Sequence, residues 1–313
     1  MSATGAKLDV LVLGLDPIYL DLIFSGLEGV PQPGEEIFAK SFQLLPGGVF
    51  NIAGCLGKLG VDVALAADVD QGLFGDFMLR ELQRVGVRID AIRRLELGGT
   101  ALTVSYSLGN ERAFLSYKDP SPQRRDVRLL CEQHKPRIMI IPGFPFQAFE
   151  PEVLDPLCSV AMQDDYSVLI DSCHCEASLE QPEVARLVSL ADVFFCNQAE
   201  CLRITGEDEW QAGADRLLSF TDAVVIKLGE QGAAFVSHDE SFIESAPQVE
   251  VKDTTGAGDC FVATYAFGLL QGMSDRDCLR MAVLQGTASV RGAGGTTTLM
   301  GREELIEALK RSD

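Results

Sequence analysis

The sequence predicts an α/β protein: a mostly parallel central sheet covered by helices on both faces, with a small second β-sheet set apart from it. Three observations carry this. Short apolar runs at 137–141, 167–171, 191–196 and 223–228 are separated by helical lengths, the pattern of buried parallel strands joined by crossover helices. The stretch 100–117 instead alternates, with Gly109-Asn110 between two β-rich runs, and reads as a hairpin. Finally, Asp253-Thr254-Thr255-Gly256-Ala257-Gly258-Asp259 joins a strand-like run ending at Lys252 to an apolar segment, 261–270. That segment is long enough for about three helical turns.

Composition narrows the function classes. The 313 residues are 47% hydrophobic and 23% charged, an ordinary globular balance at a length that suits one large domain or two small ones. With 26 basic against 46 acidic residues the net charge is −20. No Lys/Arg cluster offers a basic face, so nucleic acid is not an expected partner. No run approaches about 18 uninterrupted apolar residues, so neither a membrane span nor a membrane partner is expected. Residues 1–7 lack the apolar core of a signal peptide, and the nine scattered cysteines, an odd count without framework spacing, read as reduced thiols. A cytoplasmic location is the expectation. Cys173-His174-Cys175 has no second ligand pair at zinc-site spacing and is not read as a metal site.

Along the chain, the apolar run 8–15 reads as a buried first strand. Asp16 and Asp21 follow it. Ligands of open α/β sheets bind beyond the carboxyl ends of strands, so both acids are candidates for substrate hydroxyls. A turn acid before Pro17 and an exposed strand acid are the plain alternatives. Residues 31–46 read as a turn and exposed strands. Gly47-Gly48 then precede Asn51, which opens an apolar helix through Leu59. This gives bare backbone for a ligand to lie against and an amide for its hydroxyls, or simply a helix N-cap. Gly72, Gly75 and Asp76 follow the strand-like residues from 65 and suit a turn. Asn197-Gln198-Ala199-Glu200 has capping-box spacing at a strand end. Lys227-Leu228-Gly229-Glu230-Gln231-Gly232 closes the next strand, with a lysine that could lie along the surface.

The loop at 253–259 carries the most chemistry. Small residues opening a helix leave N–H groups free for an anion, and the helix dipole adds partial positive charge. Gly256 and Gly258 let backbone approach a ligand closely. Asp259 would repel a phosphate as a ligand, yet fits a base that takes a proton from an alcohol attacking that phosphate. The structural alternative is a turn capped by Asp253 or Thr254. Residues 279–290 then read as helix and 291–296 as a turn. Neither a G-x-x-x-x-G-K-[ST] loop nor, after the first strand, a G-x-G-x-x-G occurs.

D-T-T-G-A-G-D before an apolar helix resembles the second signature of the PfkB, or ribokinase-like, family of carbohydrate kinases. The similarity runs from the first strand to about Thr298. Gly47-Gly48 with Asn51 resembles the first signature, with Val49 where a small residue or proline is commoner. Asn197-x-x-Glu200 resembles the family motif at magnesium-bound phosphates, and 227–232 the stretch lining the nucleotide. The resemblance implies one ribokinase-like domain over 1–313, a three-layer α/β/α fold with a β lid from about 15–47 and 97–118. It implies transfer of the γ-phosphoryl of ATP to a substrate hydroxyl. Asp259 would be the base, with N–H groups of Gly256, Ala257 and Gly258 as the anion hole. Asp16, Asp21, Gly47, Gly48 and Asn51 would surround the substrate; Asn197, Lys227, Gly229, Gly232 and Thr254 the nucleotide. Glu200 would act on Mg²⁺ through water. Some members bind a monovalent cation such as K⁺, which here implies Asp253, Thr255 and backbone near 288–295. Many pair through the lid, which implies a homodimer. The adenine-side asparagine of many members is missing, and Val283-Leu284-Gln285 stands there.

An uncharged ribose- or fructose-like sugar is the first expected acceptor. A phosphosugar would need several Lys/Arg, and Lys40, Arg112 and Lys118 are the lid-region candidates. A nucleoside is the alternative, with Phe50, Tyr106, Phe114 and Tyr117 available to stack on a base. A sugar phosphate kinase and a catalytically idle sugar-sensing homologue are further readings, and the intact loop speaks against the last.

Overall fold

The computed structural model describes residues 7–14, 18–108, 111–119, 125–143, 151–161, 166–173 and 176–311. Val10–Leu13 (β1) leads into Tyr19–Leu27 (β2), Ser41–Gly47 (β3), Phe50–Lys58 (α1) and Val63–Ala66 (β4). Asp68–Asp70 (β5) and Arg93–Leu95 (β6) pair around Leu73–Arg84 (α2). Ala101–Leu108 (β7) and Glu111–Lys118 (β8) follow. Then come Val127–His134 (α3), Ile138–Pro142 (β9), Pro151–Ala161 (α4), Ser167–Asp171 (β10), Pro182–Val188 (α5) and Val193–Asn197 (β11). Next are Gln198–Thr205 (α6), Trp210–Leu217 (α7) and Ala223–Lys227 (β12), then the edge strands Ala233–Ser237 (β13) and Ser241–Glu244 (β14). Ala257–Leu270 (α8), Asp275–Ser289 (α9) and Arg302–Arg311 (α10) close the described chain.

The large sheet has the order β14-β13-β12-β11-β10-β9-β1-β4, parallel from β12 to β4, with β13 and β14 antiparallel at one edge. Its strands are apolar on both faces because both faces are covered. Val10, Val12, Ile138 and Ile140 join one core with residues of α1, α8 and α9. Leu11, Leu13, Met139 and Ile141 join the other, with residues of α3 to α7. Helix α8 is buried continuously from Cys260 to Gly268, which explains an apolar sequence without a polar face.

The interrupting hairpin belongs to a separate sheet, as the alternation at 100–117 predicts. Its order is β3-β2-β7-β8. Gly109-Asn110 at its tip lie outside the described residues. Period-two alternation sorts this sheet into two unlike faces. On one, aligned rows read Pro46-Leu20-Leu102-Tyr117, Leu44-Leu22-Val104-Leu115 and Phe42-Phe24-Tyr106-Ala113. On the other they read Leu45-Asp21-Thr103-Ser116 and Gln43-Ile23-Ser105-Phe114.

Two local expectations fail. Residues 31–40 form no strand, and pairing begins only at Ser41. The strand-like run ending at Lys252 is not a strand either: β14 ends at Glu244 and the chain leaves the sheet edge. The N–H groups of Lys252 and Asp253 go instead to the Val290 carbonyl, at 2.8 and 3.1 Å. The composition is β-like, but the segment carries the loop across to the end of α9.

Candidate active site

Strand ends of the parallel sheet, the start of α8 and the inner face of the small sheet meet around the loop 253–259. Helix α8 begins at Ala257, so Ala257, Gly258 and Asp259 lie in its first turn and Gly256 is the residue before it. Gly256 has φ +74°, the left-handed region, and a Cβ there would sit 2.7 Å from Asn51 Nδ2 and 2.8 Å from Gly295 Cα. Glycine is dictated at this position by conformation and by space alike. The Ala257 N–H turns back to the Thr254 carbonyl at 3.3 Å.

The loop separates two cavities. Thr254, Gly256, Ala257, Gly258 and Asp259 face a larger one of about 550 Å³. Asp253 and Thr255 face a smaller one of about 320 Å³, together with Asp21 and Gly48. Of the substrate residues read from the sequence, Asp21 and Gly48 line the smaller cavity and Gly47 and Asn51 line neither, while the five nucleotide residues Asn197, Lys227, Gly229, Gly232 and Thr254 all line the larger one. Asp16 lies outside the described residues. Gly47, at the end of β3, backs directly onto Asp21, whose carboxylate any side chain at 47 would strike.

Asn51 is not a helix cap. Val49 occupies that position without a side-chain cap, and the Asn51 amide instead donates to Asp259 Oδ2 at 2.9 Å. Burial pushes the Asp259 carboxyl up, and the Asn51 hydrogen bond and the Lys227 charge pull it partly back. Asp21 is pushed up to about 6, by burial first and then by the nearby Asp253 charge. Asp253 is buried and engages both oxygens with backbone: Oδ1 accepts from the Thr255 N–H and Oδ2 from the Gly294 N–H, each at 2.8 Å. That is a clamp between the loop and the turn 291–296. It lends no separate support to a cation role for Asp253 and Thr255.

The far wall of the larger cavity is built from strand ends. Asn197 and Glu200 form a true capping box: Asn197 Oδ1 accepts from the Glu200 N–H and Glu200 Oε2 from the Asn197 N–H, both at 2.8 Å. The same Glu200 oxygen accepts from Ser172 Oγ at 2.7 Å, which fixes a buried carboxylate at the cavity wall. Both readings of N-x-x-E are therefore compatible with one geometry. Lys227 does not lie along the surface. Its ammonium pairs with Asp171 at 2.6 Å, both side chains largely buried, and sits 3.1 Å from where a Cβ would be on Gly258. Burial would lower the Lys227 pKa, but Asp171, with Glu200 and Asp259 beyond it, holds the lysine above its ordinary range. Burial pushes Asp171 up to about 7, with Lys227 opposing. Gly229 and Gly232 line the same cavity.

Sequence reasoning passed over Asp171 and Ser172. The signal was an acid closing the buried run Ser167–Asp171, the same strand-end logic that singled out Asp16 and Asp21. It also passed over Thr103, Ser105 and Ser116, which line the smaller cavity from the small sheet. Three of the four stacking candidates are elsewhere: Phe50 is buried in the main core, and Tyr106 and Tyr117 point to the opposite face of the small sheet. Gln285 contacts no base-sized space; it clamps Met300, accepting from its N–H at 2.9 Å and donating to its carbonyl at 3.0 Å. Val283, Gly286 and Val290 supply an apolar wall to the larger cavity.

The residues fit a magnesium ion held largely by phosphate and water. Among the described residues no three His, Cys, Asp or Glu side chains converge on one point. Mg²⁺ in phosphoryl-transfer sites characteristically takes one or two carboxylates and keeps several waters, and Glu200 at the wall suits that outer contact. No described helix is long and apolar enough to cross a membrane.

Comparison with known proteins agrees with this fold. Residues 7–300 match the model of the pfkB family of carbohydrate kinases. Ribokinase of Arabidopsis thaliana is 26% identical, over 93% of this chain and 79% of its own length. Its structure complexed with ribose and ATP superposes with a TM-score of 0.83 at 22% identity, covering 97% of this chain and 99% of that one. The Burkholderia thailandensis nucleoside kinase in complex with inosine superposes with a TM-score of 0.75 at 20% identity, covering 96% and 98%. The chain has the ribokinase-like fold and belongs to the PfkB family of carbohydrate kinases, phosphotransferases with an alcohol group as acceptor.

Proposed function

We propose that the protein transfers the γ-phosphoryl of ATP to a hydroxyl of a small uncharged carbohydrate, ribose- or fructose-like in its sugar portion. The observation that carries this is the loop 253–259 dividing two cavities, with the Asp259 carboxylate held by Asn51 at the junction. Bound Mg-ATP would supply the phosphoryl group, its cation neutralising the phosphate oxygens. Asp259 takes the proton of the acceptor hydroxyl. Its raised pKa makes it a better base than an ordinary carboxylate near neutral pH. The N–H groups of Gly256 and Gly258 and the α8 dipole favour the charge that develops on the transferred group. Lys227, beside Gly258, adds a positive charge on the nucleotide side. Asp21, Gly48 and Asn51 hold acceptor hydroxyls, with Asp16 carried alongside from the sequence. The small sheet acts as a lid that keeps water from competing for the phosphoryl group. One domain over 1–313 and a cytoplasmic location go with this reading, as does a K⁺ ion in the neighbourhood of Asp253 and Thr255.

No Lys or Arg lines the smaller cavity among the described residues, and Lys40 is engaged with Glu28 at the surface. This favours an uncharged acceptor over a sugar phosphate. A coupled ADP-release screen with Mg-ATP against ribose, fructose, other free sugars, their monophosphates and nucleosides tests the proposal. A hit among uncharged acceptors is expected. Activity confined to the monophosphates would overturn the acceptor class, and silence with ATP bound would favour a sugar sensor.

The second face of the lid is apolar at all twelve aligned positions; Leu20, Leu22, Leu44 and Leu102 on it pack against the main core, while Phe42, Leu115 and Tyr117 form an outer patch that is largely exposed. A second copy of the chain presenting the same patch would cover it, in an isologous pair. Light scattering should then give a dimer at micromolar concentration, and Leu115→Lys with Tyr117→Lys should convert it to a monomer. A wild-type monomer under those conditions would sink the idea.

A further inference from the structure

Cys196 and Cys201 stand on either side of the capping box at the start of α6. Asn197 is the N-cap and Glu200 the third helical residue. Cys196 is therefore the residue before the cap and Cys201 the fourth of the helix. Apolar side chains commonly meet at these two positions and staple the incoming chain onto its helix. Here the staple is made of two thiols. Both are free, both are buried, and both belong to the same core. The Cys196 thiol donates to the Cys201 sulfur, which in turn donates to the Trp210 carbonyl at 3.8 Å. Side chains as short as cysteine meet only where the two backbones already lie close, which is the condition for a disulfide.

The loop such a bond would close is the capping box itself. Its two ends, Asn197 and Glu200, are walls of the larger cavity. Bond formation draws the sulfurs from hydrogen-bond contact to about 2.05 Å, and Glu200, bonded in sequence to Cys201, must shift with it. Glu200 Oε2 accepts from Ser172 Oγ at 2.7 Å and from the Asn197 N–H at 2.8 Å. A shift of about 1 Å takes both contacts past hydrogen-bond range. The far side of Cys201 is closed by α7, where a Cβ on Gly213 would lie 2.6 Å from the sulfur. An oxidant that reaches this pair must therefore be small and must enter as the first turn of α6 opens.

Resting on the kinase reading above, we infer that Cys196 and Cys201 form a peroxide-responsive switch: a disulfide across the capping box weakens Mg-ATP binding, and its reduction restores it. Hydrogen peroxide as oxidant balances the step. The Cys201 sulfur attacks one peroxide oxygen, the O–O bond breaks, and the departing hydroxide leaves with the thiol proton as water. A sulfenic acid remains on Cys201. The Cys196 sulfur displaces hydroxide from it, the S–S bond forms, and the Cys196 proton completes a second water. Two thiols give up two electrons and one peroxide takes them.

Wild type, Cys196→Ala, Cys201→Ala and Cys55→Ala would be treated with hydrogen peroxide, and half of each then returned to dithiothreitol. Cys55, whose thiol lies 3.9 Å from the Cys260 carbonyl next to Asp259, is the control for oxidation elsewhere. Peptide mapping after alkylation identifies any bridge, calorimetry gives Mg-ATP affinity, and ADP release with the uncharged sugars and nucleosides gives turnover. Oxidised wild type is expected to carry a Cys196–Cys201 disulfide and to bind Mg-ATP at least roughly tenfold more weakly, with full recovery in dithiothreitol. Both variants of the pair should keep their affinity through oxidation, and Cys55→Ala should respond as wild type does. No bridge, a bridge between other cysteines, unchanged affinity with the bridge formed, or an equal loss in Cys201→Ala would overturn the switch. Mapping and affinity on wild type decide the matter even where a variant folds poorly. Neither needs an acceptor, so a switch found with no ADP formed on any acceptor would overturn the kinase reading alone. Turnover and Mg-ATP affinity both unchanged with the bridge formed would overturn the switch alone.

Discussion

Replacing Asp259 by Asn should leave a folded protein that still binds acceptor and nucleotide but turns over roughly a hundred- to ten-thousand-fold more slowly, the range for removal of a general base. The amide is isosteric and its oxygen can still accept from Asn51, so the junction between α1 and α8 is kept. Stability should move the other way. Burial raises the Asp259 pKa, so the folded state holds its proton more tightly than the unfolded chain does. Wild-type stability therefore loses a contribution as pH rises from the unfolded carboxylate range through the folded pKa. The asparagine variant escapes this loss. Its melting temperature should equal that of wild type below about pH 4 and exceed it at neutral pH. Loss of turnover with a gain in stability marks a charge kept for chemistry rather than for folding. Residual activity above a few per cent would remove Asp259 from the mechanism, and a drop in melting temperature would recast it as structural.

How far the sequence reveals this site depends on whether the chemistry is local. The loop 253–259 was legible because its turn, its helix start and its acid lie within seven residues, and each constrains the next. The parallel sheet was legible because strands buried on both faces read as unbroken apolar runs, as at Val193–Asn197 and Ala223–Lys227. The Asn51–Asp259 contact spans 208 positions and exists only because α1 and α8 pack together. From the sequence, Asn51 could equally have been a cap. The Asp171–Lys227 pair is hidden for the same reason, since β10 and β12 are neighbours only through β11. Nor could the lid aromatics be assigned to faces before the register was known. Shifting β8 by one residue would exchange Phe114 for Leu115 or Ala113 on the cavity face. The segment before the loop departs from its strand-like composition, Glu250-Val251-Lys252, because the Lys252 and Asp253 N–H groups go to the Val290 carbonyl at the end of α9 rather than to a strand.

Lys227→Met is expected to produce the largest loss of stability, and the loss should grow with pH. The variant keeps most of the side-chain volume and leaves Asp171 buried beside Glu200 and Asp259 without its counter-charge. Breaking a buried pair from one side typically costs about 3–5 kcal/mol. A carboxyl can escape part of that by taking up a proton. In wild type burial has pushed Asp171 up to about 7, against the pull of Lys227. Without the lysine its pKa must lie higher still. In both proteins the folded state binds the Asp171 proton more tightly than the unfolded chain, so this group's contribution falls as pH rises from about 4. In wild type the fall ends near pH 7, where the carboxyl ionises against its partner; in the variant it continues. The two stability curves should run parallel below about pH 7 and diverge above it, the deficit approaching the full cost of an unpaired charge by about pH 9. Adding Asp171→Leu removes the stranded acid and should recover most of the stability, because a buried ion pair is rarely better than an apolar pair of similar volume. It should not recover nucleotide affinity, since the charge beside Gly258 is still missing. Urea unfolding at pH 5, 7 and 9, with ATP titrations of each variant, separates the two roles. Curves parallel at every pH would mean that Asp171 does not depend on Lys227 for its charge. Restored ATP binding in the double variant would mean that the lysine serves the fold alone.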